Sequence, residues 1–206
     1  MIEGEYVLAD TDEQSRRKRM LSMPHVLPLV HYLEQMRGEL GESYETPMFD
    51  PCDGGINAKA LFLLEAPGRK AVGSGFISRN NPDPSAKKMN RLLHEAGFKR
   101  EETILWNIVP WYVGTEASIR PVKISDIKVA LPYTEKLLGL LKVLKVIILV
   151  GLKAQKAGKY ISNLTTIPII PSYHPSLQSV NRYPHRYMDI LIKFQEARHI
   201  MAKKSR

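Results

Sequence analysis

An acid, an amide and an imidazole (Glu65, Asn107 and His174) each stand where an apolar run breaks off, and an aromatic, Phe76, follows the glycine-rich stretch Gly73-Ser74-Gly75. Asparagine presents one acceptor and two donors in a plane, which can read a nucleobase edge through paired hydrogen bonds. Histidine can donate to an oxygen that gains negative charge, and a carboxylate can stabilise a cationic sugar or orient water. A ring stacked on a base contributes roughly 1–3 kcal/mol in other systems. Together these parts suit cleavage of an N-glycosidic bond, in which the base departs as an anion and the sugar becomes oxocarbenium-like. Each residue also has a plainer role open to it. Glu65 could cap a helix, Asn107 could fix a turn, and His174 could be a hydrogen-bonded loop histidine. The reaction calls for no metal or other cofactor, and the sequence offers no ligand cluster.

Four short apolar runs are the elements that must position these residues: Ala60–Leu64, Ile104–Trp106 running into Asn107, Val146–Val150 and Ile167–Pro171. Such runs, bounded by turn formers, read as strands covered on both faces. Helical spacing is predicted between them. Leu27, Val30, Leu33 and Met36 form one stripe, ended by Gly38 and Gly41. Asp83 as N-cap and Pro84 at the first turn open a second helix, closed by Gly97. A third is expected over about 125–142, kinked or delayed by Pro132, a short fourth near 153–160, and a last one from about Pro184 to Met201. The Gly73–Gly75 stretch and residues 176–182 read as loops. This alternation predicts an α/β fold, a three-layer α/β/α sandwich around a four-stranded, mainly parallel sheet. In a parallel sheet the carboxyl ends share one edge, so Glu65, Asn107 and His174 should meet in one crevice.

With 206 residues the chain is sized for one domain. Residues 1–23, which include Arg16-Arg17-Lys18-Arg19, are expected to form a basic, mobile tail, and 24–206 a single domain. A formal net charge of +9 favours a polyanionic partner. One cysteine, Cys52, excludes an internal disulfide and a Cys-rich metal or iron–sulfur site. Neither a secretory signal nor a membrane-spanning run is visible, so a cytoplasmic, monomeric protein is expected.

The Glu65-Ala66-Pro67-Gly68 stretch resembles the first motif of the bacterial and archaeal iron–sulfur branch of the uracil-DNA glycosylase superfamily. His174-Pro175-Ser176 resembles that superfamily's late His-Pro-Ser motif, Asn107 falls on the strand whose asparagine contacts the base, and Phe76 matches its stacking aromatic. Order and spacing hold from about Ala60 to Asp189. The resemblance implies a DNA glycosylase of base excision repair that flips a damaged base out of DNA, releases it free and leaves an abasic site, without a lyase step. It assigns Glu65 and His174 to catalysis and Ala66, Phe76 and Asn107 to the base. Gly68, Ser74, Ser176, Leu177 and Arg182 fall to the DNA, with Leu177 as the wedge and Arg182 on a phosphate.

The departures are specific. Leu64 replaces the first glycine of the motif, the cluster cysteines are absent, and Ile108-Val109-Pro110-Trp111-Tyr112 follows the asparagine. Where another branch carries its water-activating aspartate, this chain has Ala66, so Glu65 would act from one position earlier. Uracil leads as the target base, with hypoxanthine, xanthine and a mismatched pyrimidine as alternatives. A noncatalytic nucleic-acid-binding protein of the same fold, or an unrelated enzyme using the glycine stretch for a nucleotide phosphate, are the other readings. The phosphate-loop signature itself is missing.

Overall fold

Residues 5–41, 44–115 and 118–203 are described by the computed structural model. Four strands form its central sheet: β2 (Ala60–Leu64), β4 (Thr103–Asn107), β5 (Val146–Val150) and β6 (Ile169–Ser172). They lie in the order β4-β2-β5-β6, and every pair is parallel. Parallel neighbours need crossovers, and helices supply them: α4 (Pro84–Glu95), α5 (Ile124–Leu140), then the short α6 (Leu152–Gln155) and α7 (Gly158–Leu164). β4 and β5 are buried throughout and β2 up to its last residue, Leu64, as continuous apolar runs require when both faces are covered.

Two aromatic clusters identify the two faces. Phe62 packs its ring edge-on against Phe98 and against Phe194 of the closing helix α9 (His185–Ala202). Trp106 is in register with Leu63, the neighbour of Phe62, so alternation turns it to the opposite face. There it stacks at 3.6 Å on Phe49, which in turn meets Tyr32 of α2 (Leu27–Leu40). Phe49 belongs to a two-residue strand, β1 (Met48–Phe49), paired in parallel with β3 (Phe76–Ile77), a small sheet with no period long enough to read in sequence.

Several local expectations change. The glycine stretch is not a loop: α3 (Arg69–Ser74) runs through Gly73, and only Gly75, at φ 80°, leaves the helix. Six residues are too few to show a helical stripe. Residues 177–182 likewise form α8, capped by the Ser176 hydroxyl. Pro132 neither delays nor ends α5. It lies on the exposed side together with Lys128, whose carbonyl would otherwise receive the missing N–H, so water can serve that group. No helix among the described residues is long and apolar enough to cross a membrane.

The amino-terminal segment is the largest correction. Residues 1–4 lie outside the described residues. Beyond them, α1 (Thr11–Arg19) is docked on the body rather than trailing as a tail. Asp10 caps it, acids occupy its first turn and bases its last, the arrangement that suits the helix dipole. Arg17, only 2% exposed, places Nη1 at 2.5 Å from the buried carboxylate of Asp50 and Nη2 at 2.9 Å from Asn80 Oδ1. The basic run that suggested a solvated tail therefore includes one of the most buried side chains in the molecule.

Candidate active site

The path leaving β2 goes to β4 on one side, and the path back enters β5 on the other, so the sheet's carboxyl edge opens a crevice beside β2. Register aligns the candidates along that edge. Asn107 ends β4 opposite Leu64, with Glu65 the next residue along. Ser172 ends β6 opposite Val150, and His174 follows two residues later. The ladder continues past the strands, because the Ile108 and Val109 amides donate to the Leu64 and Glu65 carbonyls at 2.8 and 3.0 Å.

A cavity of about 360 Å³ opens in this crevice, at the small end of the range for small-molecule pockets. Ala66, Gly68, Asn107 and His174 line it, so four sequence candidates from three separate strand ends do converge. Asn107 is 3% exposed, and its Nδ2 has no hydrogen-bond partner among the described residues. Leaving such a donor unpaired costs about 1–3 kcal/mol, which a ligand's acceptor would recover. His174 is half-buried, and desolvation by the atoms packed around its ring lowers its pKa from 6.5 to about 4. Its imidazole is therefore neutral at neutral pH, with one N–H to donate. Gly151, at φ 95°, makes room for it, since a Cβ there would sit 3.2 Å from the His174 Cβ.

The acid facing this space is not the expected one. Glu65 is half-buried just past β2 and is not among the lining residues, whereas Asp83 is. Asp83 caps α4 with Oδ1 alone, which accepts the Ser85 and Ala86 amides, both at 2.9 Å. In sequence Asp83 reads only as a helix cap, and its place beside Asn107 follows from the chain path after β3. Ser78 and Asn81 also line the cavity and were missed. Both are held from behind: Ser78 Oγ donates to Asp50, and the Asn81 amide accepts from Ser74 Oγ at 2.6 Å and donates to the Phe76 carbonyl at 2.9 Å.

Phe76 is a correction. Its ring is 0% exposed and lines a different cavity beside Tyr44 and Met48, while Ile77 faces the crevice. Adjacent residues of a strand point to opposite faces, so β3 can offer only one of the two to the site. Ser74 is also buried, bound to Asn81 rather than presented to a nucleic acid. On the outside, Arg69 and Lys70 are exposed at the cavity mouth, while Leu177 and Arg182 are exposed on α8 with Ser176 as its cap.

The family model of the Uracil DNA glycosylase superfamily matches residues 51–195. Among solved structures, the chain is similar to the solution NMR structure of a protein from Methanosarcina acetivorans, provisionally described as a uracil DNA glycosylase. The two share 14% identity over 70% of this chain and 93% of that one, with a TM-score of 0.46. No curated protein matches the chain.

Proposed function

Because the chain belongs to the uracil DNA glycosylase superfamily, we propose that it hydrolyses the N-glycosidic bond of uracil, or of another deaminated base, in DNA. The observation that carries this reading is the cavity in which the unpaired Nδ2 of Asn107 and the neutral imidazole of His174 lie together. A base extruded from the helix brings acceptors to the Asn107 amide and a carbonyl oxygen to the His174 N–H. As the bond from the base nitrogen to C1′ breaks, the electron pair moves onto the base, and the His174 hydrogen bond strengthens as that oxygen gains charge. A neutral donor suits this step, because it loses no proton to the solvent before the base arrives.

Water then adds to C1′ of the sugar cation. Asp83 is the carboxylate we assign to it: Oδ1 is tied to two amides, leaving Oδ2 to balance the positive sugar, orient the water and take the proton it loses, which in the end neutralises the base anion. Glu65, the acid expected from the sequence, takes second rank at the crevice rim. Ala66 and Gly68 bound the base, Arg69 and Lys70 contact flanking phosphates, and Leu177 and Arg182 engage the duplex from α8.

Oligonucleotides holding one uracil, single-stranded or paired, test this reading after treatment with hot alkali. We expect strand scission by the native protein, abolished by Asn107→Ala and His174→Ala. Asp83→Asn keeps an N-cap and should still lower the rate about 10²-fold or more, with Glu65→Gln costing less. Borohydride should trap no adduct, although Lys70 lines the cavity. Salt-sensitive binding with no scission at uracil, hypoxanthine, xanthine or a mismatch would sink the enzyme reading in favour of a binding protein.

A further inference from the structure

Arg186, near the start of α9, makes no ion pair among the described residues. Its guanidinium lies instead between two rings, 4.0 Å from the centre of Tyr183 and 4.6 Å from that of Tyr173. Nη1 donates to Ser179 Oγ at 3.3 Å, and the buried Nε has no partner among the described residues. Each of the three contacts reaches a different part of one segment. Tyr173 immediately precedes His174, Ser179 sits within α8, and Tyr183 ends it. A planar cation packed between aromatic faces holds both by electrostatics and stacking, which a point charge such as lysine cannot reproduce.

The segment so held carries the cavity residue His174 near its start and exposed Leu177 at the first turn of α8. With six helical residues and one capping hydroxyl, α8 has little intrinsic stability of its own. Val180 anchors its inner side in the core, and Lys88 Nζ lies 3.3 Å from Asn181 Oδ1, but neither contact reaches Tyr173 or Tyr183. We propose that Arg186 is the positioning residue that clasps residues 173–183, so that Leu177 is braced to press against a base pair, while His174 keeps its place through its own packing on Gly151. The proposal rests on the glycosylase reading for its consequence, which is selective. Opening a duplex works against the wedge, whereas a single strand asks nothing of it.

Hydrogen exchange and base-release rates on paired and single-stranded uracil substrates test the clasp together. In Arg186→Ala and Arg186→Lys alike, amides of 173–183 should exchange faster while α5 and the sheet keep their protection. The duplex rate should fall about tenfold to a hundredfold, with the single-strand rate nearly untouched. Tyr183→Ala should reproduce the defect and add little to Arg186→Ala, whereas Tyr173→Phe, which keeps the ring, should behave like the native protein. Restoration of the duplex rate by lysine would overturn the proposal, because it would mark Arg186 as a simple phosphate contact. Unchanged exchange would overturn it as well. Altered exchange in a protein whose native form releases no base would instead remove the glycosylase reading and leave the clasp standing.

Discussion

At the scale of single residues, His174 carries the most consequences. Burial holds its pKa near 4, while the unfolded chain titrates near 6.5. Between those values the unfolded state binds a proton that the folded state does not. The stability tied to neutral His174 is complete above about pH 6.5 and is lost as the pH falls toward 4, by about 2 kcal/mol at pH 5. Urea unfolding at pH 7.5 and pH 5 should therefore show a larger drop for the native protein than for His174→Gln. Gly151 makes a second prediction possible. Alanine there must adopt φ 95° and pushes its Cβ to 3.2 Å from the His174 Cβ. We expect about 1 kcal/mol or more of lost stability, together with a loss of activity near 10²-fold that a thermal shift of that size cannot explain. Equal kcat in Gly151→Ala would show that the imidazole tolerates displacement.

At the scale of elements, α1 changes most from the reading of the bare chain. Arg17 and Arg100 both reach Asp50, at 2.5 and 2.6 Å, and Asp50 in turn accepts from Ser78, which lines the cavity. Arg79 and Arg100 lie 3.3 and 3.1 Å from Asp53, whose carboxyl pKa is raised by burial against the pull of those two guanidiniums. Breaking a buried pair strands a charge, so Arg17→Ala should cost about 3 kcal/mol in urea unfolding. Arg100 remains to share Asp50, which keeps the cost at the low end. A solvated tail would lose at most about 0.5 kcal/mol. The helix did leave a sequence trace, a capping aspartate with acids before bases. What composition could not reveal is that one of these four basic residues turns inward, because docking depends on the distant Asp50.

For the whole molecule, the charge of +9 matters through where it lies. The guanidiniums of Arg17 and Arg79 are buried against carboxylates and are unavailable to phosphate. Arg69 and Lys70 stand exposed at the cavity mouth. Each phosphate contact contributes about −0.9 to the slope of log K against log salt on duplex DNA. Replacing Arg69 and Lys70 with alanine should reduce that slope by about 2, measured by fluorescence anisotropy over a salt series. No change in slope would move the DNA track elsewhere.

Four strands, their parallel direction and the carboxyl ends that bear Asn107 and His174 were all legible in the chain, because buried strands demand unbroken apolar runs and turn residues mark where they stop. The cap of α4 was legible as well, since Asp83-Pro84 acts within one turn. Contacts between remote segments were not. Whether Phe76 or Ile77 faces the crevice depends on a two-residue strand pairing with β1, and whether Glu65 or Asp83 supplies the acid depends on how α4 approaches the sheet. Local spacing says which side chains a segment has to offer. Packing against partners tens of residues away decides which of them the cavity receives.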